Sequence, residues 1–329
     1  MAVKLALARV AHRFERGIEK IKRGPARDDP IIDCYGGYTS PDHIVLRGRV
    51  LAKARAISAV GPQSKWRNFK DFLSLFATDE LRDLTITAAD YDLTTQTDEE
   101  GFFTLRVPVN GDVPVVVNVQ AAGAKEVHPT PVFNARTAAF GVISDIDDTL
   151  LRTGAYSLVR NLWTSATGNV HESEIFEDAV ALLLNLQGRG AACFYVSSSP
   201  WNLYDYLQAV FVRTSLPLGP FFLRDLGISQ TQFITGTHGD HKTGAIETIL
   251  AANPHLQFTL IGDTGQHDPH IYADIVARHP GRIDQVILRR PSDAALSSEI
   301  ETDVAQIKAV GVKVILDYDY RSLLPEIKT

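Results

Sequence analysis

Sulfur is scarce in this chain, which has two cysteines and one methionine among its 329 residues. Cys34 and Cys193 lie far apart, and neither belongs to a Cys-x-x-Cys pair. The sequence therefore predicts neither a disulfide framework nor a thiolate zinc site, and it fits a reducing compartment. No apolar run reaches the roughly 18 residues of a membrane span. Arg9 interrupts the apolar N-terminal stretch and no cleavage region follows, so we expect this stretch to be retained in a cytoplasmic protein.

An excess of positive charge is also missing, since the net charge is −6 and the pI is about 5.9. Proteins that bind a nucleic acid backbone are usually basic, so we expect no nucleic acid partner. The hydrophobic fraction of 45% is ample for a buried core, and the length indicates about two domains.

The first segment, residues 1–28, is predicted to be an amphipathic helix. Apolar side chains recur there at helical spacing, at Val3, Leu7, Val10, Phe14, Ile18 and Ile21. The opposite face is strongly basic, which allows two interpretations. Residues 3–23 either pack on the protein itself with a solvated basic face, or they make a peripheral contact with an anionic membrane surface.

The second segment, residues 29–136, has the short alternating strands and turns of a small β-sandwich-like domain. Strand patterns occur at 44–50, 84–88, 103–107 and 113–119. One helix is predicted at Trp66–Phe76, and Pro129 to Arg136 is predicted to be a linker.

The third segment, residues 137–329, alternates short apolar runs with helical stretches, which predicts an α/β domain with a central parallel sheet, Rossmann-like in type. The runs lie at 140–144, 192–196, 220–223, 257–261, 283–288 and 312–316. The helices are predicted at 176–187, 202–213, 241–252, 268–279 and 295–309. Ligands of such sheets bind at the carboxyl ends of the strands, so the residues at those ends matter most.

Acidic side chains follow the first of these strands, in the stretch Asp145-Ile146-Asp147-Asp148-Thr149. Carboxylates at positions i and i+2 can face one crevice, where they repel each other and need a cation such as Mg²⁺. One carboxylate could attack phosphorus and form an aspartyl-phosphate. The other could protonate the leaving oxygen and then activate water.

Three later elements supply matching chemistry. Ser197 and Ser198 follow the second strand and can hydrogen-bond a phosphoryl oxygen. Lys242, at a helix start, suits both a phosphate and crowded carboxylates. Asp263 and Asp268 follow a further strand and add two carboxylates. Each element alone is an ordinary turn or helix cap, but their conjunction at strand ends predicts an active site.

The order Asp-x-Asp-x-Thr, serine, lysine and Gly-Asp-x₄-Asp resembles the four motifs of the haloacid dehalogenase superfamily. More narrowly, SDIDDT, YVSSSPWNLY, HK and LIGDTGQHDPHIY are similar to the catalytic domain of the actin-patch-associated phosphatidate phosphatase family and its bacterial relatives. The resemblance covers about residues 138–290. It implies a haloacid dehalogenase fold and a Mg²⁺-dependent phosphatase.

The resemblance also implies a role for each matching residue. Asp145 would be the nucleophile and a metal ligand, and Asp147 would be the general acid and base while binding metal through its backbone carbonyl. The supporting residues implied are Thr149 to steady the loop, Ser197 or Ser198 to bind the phosphoryl group, Lys242 to neutralise its charge, Asp263 as a metal ligand and Asp268 to support the metal or Lys242.

Four further residues are candidates for contact with the substrate. Trp201 and Tyr204 follow the serines and could face an acyl or headgroup region, although packing at a helix start is the plainer interpretation. Gln266 and His267 lie between the last two acidic residues and could line the site, or simply form a loop surface.

We therefore expect hydrolysis of phosphatidate to diacylglycerol and phosphate. Two alternatives stay open. The same chemistry could act on a phosphoprotein, a nucleic acid end or a soluble phosphomonoester. In a different class of function, the β-domain would bind a partner and the α/β domain would serve as its scaffold.

Overall fold

The computed structural model describes residues 30–52, 81–152, 175–225, 238–291 and 295–324. The helices predicted at residues 3–23 and Trp66–Phe76 lie outside these described residues. Within them, no helix is both long and apolar enough to cross a lipid bilayer.

The first described region is a β-domain built from one seven-stranded mixed sheet. Its strands are β1 (Ile31–Thr39), β2 (His43–Leu51), β3 (Thr85–Ala88), β4 (Leu93–Gln96), β5 (Phe102–Pro108), β6 (Val116–Ala121) and β7 (His128–Phe133). The strand order is β4-β3-β6-β7-β1-β2-β5, and the two end strands β4 and β5 contact each other, so the sheet nearly closes. The four strands predicted in this region are confirmed, whereas the sandwich-like arrangement stays a prediction.

The predicted linker at 129–136 is wrong, because most of it is β7. This strand pairs antiparallel with β6 and parallel with β1. Its two prolines alternate with Thr130 and Val132, whose side chains are buried. Because only alternate residues lack an N–H, Val132 can still donate to the carbonyl of Val115. The prolines therefore resemble a linker in sequence without preventing a strand.

The second region is an α/β domain with six parallel strands. They are β8 (Phe140–Ser144), β9 (Ala191–Pro200), β10 (Phe221–Arg224), β11 (Phe258–Asp263), β12 (Ile283–Arg289) and β13 (Lys313–Asp317). Their order is β10-β9-β8-β11-β12-β13, the pattern of a doubly wound sheet. The order in which strands are added to the sheet reverses at β8, because β9 and β10 lie on one side of it and β11 to β13 on the other. A crevice forms at such a point, between the ends of β9 and β11.

Five helices cover the two faces of this sheet. They are α1 (Glu177–Gly188), α2 (Tyr204–Thr214), α3 (His238–Ala252), α4 (Asp268–Arg278) and α5 (Ser298–Ala309). The buried apolar side chains of α1 and α2 form one core cluster, and those of α3, α4 and α5 form another. All five predicted helices and all six predicted strands of this domain are therefore confirmed, with ends that differ by a few residues.

The β-domain and the α/β domain share hydrophobic cores. Tyr35 of β1 is buried and stacks on Trp201, with ring centroids 4.3 Å apart. Tyr38 lies against Phe222 at 5.4 Å. Arg47 of β2 donates from Nη2 to the carbonyl of Phe221 over 2.7 Å. The junction is thus packed with aromatic side chains from both domains.

Candidate active site

The segment after β8 places Asp145 and Asp147 at the carboxyl edge of the sheet. The backbone N–H of Asp145 donates to the carbonyl of Ile261 in β11, which continues the pairing of the two strands. Asp148 then adopts a left-handed backbone with φ of 56°. Aspartate tolerates this conformation better than most residues, and here it turns the chain back toward Leu151. The result is a tight loop that places the side chains of Asp145 and Asp147 in one crevice.

Lys242, on α3, is the cation of this crevice. Its Nζ lies 2.9 Å from Oδ1 of Asp145 and 2.5 Å from Oδ1 of Asp268. All three side chains are almost completely buried, so their attraction is weakly screened by water. Burial alone would lower the pKa of Lys242, but Asp145 and Asp268 raise it above its usual value. Lys242 therefore carries a fixed positive charge beside the predicted nucleophile.

The end of β11 brings Asp263 and Asp268 to the same place. Oδ1 of Asp263 accepts the N–H groups of Gly265 and Gln266, while Oδ2 of Asp268 accepts the N–H of Asp263. Between strand and helix, Gly262 leaves the necessary space: a Cβ there would lie 2.5 Å from Oδ2 of Asp268. A glycine is required at position 262 because the side chain of Asp268 lies over the end of β11.

Asp145, Asp263 and Asp268 together could hold a metal ion. Each offers one carboxylate oxygen, and these oxygens all lie within 4.8 Å of one another. Oδ2 of Asp263 is buried with no hydrogen-bond partner among the described residues. A buried carboxylate oxygen without a donor is costly, and a hard divalent cation such as Mg²⁺ would satisfy it. The donor set therefore fits magnesium.

Burial raises the pKa of Asp145 and that of Asp263. The pKa of Asp263 rises to about 7, with Asp268 adding to the effect of burial, and that of Asp145 rises well above its usual range although Lys242 opposes the shift. Burial is the main cause of both shifts, and the crowding of four buried carboxyl groups, those of Asp145, Asp147, Asp263 and Asp268, around one ammonium group adds to it. A bound cation would offset the repulsion among these carboxyl groups.

Asp147 has surroundings that suit proton transfer. Its Oδ2 accepts hydrogen bonds from Oγ of Ser197 at 2.7 Å and Oγ of Ser199 at 3.0 Å. Burial raises its pKa, while the two serine hydroxyls oppose the shift. Its Oδ1 has no partner among the described residues. An acid with a raised pKa next to a nucleophile is what a general acid requires.

The remaining predicted residues occupy distinct positions. Oγ of Thr149 donates to Oδ2 of Asp145 over 3.3 Å, which steadies the loop. Ser198 is half-buried between its two buried neighbours, so Ser197 is the one held against Asp147. Nε2 of Gln266 donates to the backbone carbonyl of Asp147 over 3.3 Å. His267 is exposed at the N-terminal cap of α4.

Trp201 and Tyr204 are both buried at the junction of the domains, where each contacts the ring of Tyr35. Their position shows the packing that the plainer interpretation expected. A role in lining the substrate stays a prediction for them, as it does for Gln266 and His267.

Two residues near the site were not singled out from the sequence. Ser199 is the second hydroxyl on Asp147, and only the adjacent serine run hinted at it. Arg289, at the end of β12, is buried and donates from Nε to the carbonyl of Thr149, from Nη1 to that of Tyr318 and from Nη2 to Oδ2 of Asp178. No sequence motif links Arg289 to the acidic loop, because the contact depends on the order of β8, β11 and β12.

The sequence of this domain is similar to that of a known family. Residues 140–290 match the sequence model of a family described as the catalytic domain of phosphatidate phosphatase APP1. The expected resemblance to this family is therefore confirmed over residues 140–290.

Two fungal proteins are similar to the chain. Phosphatidate phosphatase APP1 of Saccharomyces cerevisiae is 26% identical over 184 residues, which cover 54% of this chain and 31% of the yeast protein. Uncharacterized protein C29B5.04c of Schizosaccharomyces pombe is 30% identical over 153 residues, which cover 45% of this chain and 24% of that protein. The chain thus matches less than a third of the length of either relative.

Proposed function

We propose that this chain is a Mg²⁺-dependent phosphatase with a haloacid dehalogenase fold, and that it hydrolyses phosphatidate to diacylglycerol and phosphate. The observation that carries the proposal is the meeting of Asp145, Asp147, Lys242, Asp263 and Asp268 in one buried crevice at the carboxyl edge of the sheet. The name of the yeast relative supports phosphatidate as the substrate class.

In the first half of the reaction, a carboxylate oxygen of Asp145 attacks phosphorus. The bond from phosphorus to the diacylglycerol oxygen breaks, and that oxygen receives the proton held by Asp147. Lys242 offsets charge on the phosphoryl oxygens, and the hydroxyl of Ser197 orients Asp147 and can turn to the phosphoryl group. The product on the protein is an aspartyl-phosphate.

In the second half, a water molecule attacks the phosphorus of the aspartyl-phosphate. Asp147 takes the proton of this water, the bond from phosphorus to Asp145 breaks, and inorganic phosphate leaves. Asp147 is again protonated for the next cycle. Mg²⁺, when bound by Asp145, Asp263, Asp268 and the backbone carbonyl of Asp147, would neutralise charge on the transferring group.

The test is phosphate release by the purified chain with Mg²⁺ on four substrates: phosphatidate in mixed micelles, p-nitrophenyl phosphate, a phosphoserine peptide and a 5′-phosphorylated oligonucleotide. We expect the highest kcat/KM on phosphatidate, and no release in EDTA. Preference for another substrate would keep the chemistry and replace the substrate. No release from any of them would reject the phosphatase.

We also propose a cytoplasmic protein that reaches lipid peripherally through residues 3–23, on the basis of the basic amphipathic pattern alone. Deletion of residues 1–24 is expected to lower activity on phosphatidate vesicles more than on p-nitrophenyl phosphate. Equal losses on both substrates would argue that the segment serves the fold and not the membrane.

A further inference from the structure

A cleft of about 560 Å³ lies where the β-domain meets the α/β domain, apart from the catalytic carboxylates. Its volume is within the range of small-molecule sites, roughly 300–1,000 Å³. The lining comes from both domains and includes Tyr38, Arg47, Trp201, Phe222 and Gly244. The cleft is thus formed only when the two domains are together.

Of the two arginines in the lining, Arg47 is the one that is half-buried, and aromatic rings surround it. The guanidinium lies 4.3 Å from the ring centroid of Phe222, 5.0 Å from that of Tyr38 and 5.3 Å from that of Trp201. Burial lowers the pKa of Arg47, and no carboxylate of the described residues offsets this effect. By contrast, the buried cations Lys242 and Arg289 both pair with aspartates.

The hydrogen bonds of Arg47 are also incomplete. A guanidinium has five N–H donors. One bond is described, from Nη2 to the carbonyl of Phe221, and Nε is buried with no partner among the described residues. Aromatic rings cover the faces of a stacked guanidinium and leave its edge available for an anion. A half-buried cation with a buried, unpartnered Nε and no counterion among the described residues is costly, and an anionic ligand would offset that cost.

We propose that this cleft is a second binding site, which takes an anionic amphiphile. Its acidic head group would pair with Arg47, and its apolar part would lie against Trp201 and Phe222. The head group could be a phosphate or a carboxylate, because both match the fork of donors on arginine. The proposal does not depend on the reaction proposed for the catalytic crevice.

Trp201 provides the readout, since its ring lies in the wall of the cleft. We would label the full chain carrying Asp145→Asn with 5-fluorotryptophan, and assign the Trp201 resonance in the ¹⁹F spectrum by its loss in Trp201→Phe. Octanoate and dioctanoyl phosphatidate are then titrated separately in EDTA, alongside dioctanoylglycerol and inorganic phosphate. We expect a saturable shift of the Trp201 resonance with at least one of the two anionic amphiphiles, and the responding probe identifies the head group.

Variants separate the cleft from any other site. Arg47→Met removes the charge at similar length and should weaken binding at least about tenfold, as expected for loss of a charge-assisted contact. Gly244→Leu adds a side chain to the wall of the cleft while keeping Arg47, a Cβ at Gly244 meets nothing within 4 Å, and the change should weaken binding similarly. Arg106→Met, at an exposed arginine of the same cleft, should change affinity by less than about twofold.

Three results would overturn the proposal. One is the absence of any saturable shift with both amphiphiles. Another is equal affinity in the parent, Arg47→Met and Gly244→Leu proteins. The third is binding of dioctanoylglycerol or inorganic phosphate as tight as that of the amphiphiles. Far-UV circular dichroism reports whether Arg47→Met is folded, and Gly244→Leu tests the cleft independently if it is not.

Discussion

Two buried clusters of the α/β domain pair a cation with aspartate, and they differ in how completely their polar atoms are satisfied. In the first, Lys242 lies between Asp145 and Asp268, and a buried oxygen of neighbouring Asp263 has no partner in the described part of the chain. In the second, Arg289 pairs with one acid, Asp178.

In the second cluster, no buried polar side-chain atom of Arg289 or Asp178 lacks a hydrogen-bond partner. Arg289 donates hydrogen bonds to two backbone carbonyls and to Oδ2 of Asp178. The same Oδ2 also accepts the N–H of Tyr320. The rings of Phe176 and Tyr320 cover the guanidinium at 3.9 and 4.1 Å. These contacts join the acidic loop, β12 and α1, so we assign the cluster a structural role.

The contrast shows that burial of charge alone does not distinguish a binding site from a structural ion pair. The distinguishing feature is the balance between acids and bases: an excess of carboxylates and an oxygen without a donor in one cluster, and matched partners in the other. The predictions that follow test this difference, beginning with the largest effect.

Asp145→Asn should lower phosphate release at least about a thousandfold, because it removes the proposed nucleophile. The same change should not destabilise the metal-free protein, since it removes a buried carboxyl whose pKa is raised. Phosphate release and urea unfolding in EDTA measure the two effects. Asp274→Asn, an exposed acid on α4, is the matched control. Retention of the biological activity in Asp145→Asn would favour the partner-binding alternative.

Arg289→Met should have its main effect on stability and not on phosphate release. It leaves Asp178 buried without its cation, and breaking such a pair costs about 3–5 kcal/mol in the free energy of unfolding. Urea unfolding measures this loss, with Arg278→Met at a half-exposed ion pair as the control. If the two substitutions cost the same, the second cluster is not the structural element that we describe.

Magnesium should stabilise the first cluster and leave the second unaffected. At a concentration about 100 times the dissociation constant, a ligand that binds only the folded state adds about 2.7 kcal/mol. We expect a rise in Tm on adding Mg²⁺ to the parent protein and to Arg278→Met, and little or none for Asp263→Asn. An equal rise in Asp263→Asn would place the ion elsewhere.

The smallest effect is on pH dependence. The folded pKa of Asp263 is about 7, against an ordinary value of 3.8, so between these two pH values the folded state binds a proton that the unfolded state releases. Stability in EDTA should therefore rise by about 1 kcal/mol between pH 8 and pH 6. Urea unfolding at the two pH values tests this, and Asp263→Asn should remove that part of the slope. An unchanged slope in the variant would contradict the assignment.

The α/β domain could be predicted well because its signals are local. Short apolar runs and amphipathic helices alternate, and the acids of β8 and β11 follow their strands directly. Parallel strands bring their carboxyl ends to one edge, so sequence position predicts proximity in space. Proximity alone does not establish that Asp263 or Asp268 binds metal, and those roles stay predictions.

Contacts that depend on the order of strands could not be predicted in this way. Arg289 reaches the carbonyl of Thr149 because β12 lies two strands from β8. The β7 strand was missed because its prolines suggest a linker, whereas only its pairing with β1 and β6 shows that the remaining N–H groups suffice. The cleft at Arg47 likewise exists only through the packing of two domains.

The stack of Tyr35 on Trp201 has a consequence for dissecting the protein. A fragment starting at residue 137 would retain every proposed catalytic side chain, yet it would expose Trp201, Tyr204 and Phe222, which Tyr35 and Tyr38 now cover. Aromatic surface that becomes exposed to solvent favours aggregation. Because Trp201 directly follows the segment Ser197–Pro200, loosening it would also disturb the hydroxyls around Asp147. Truncation to the α/β domain would therefore be a poor substitute for the intact chain.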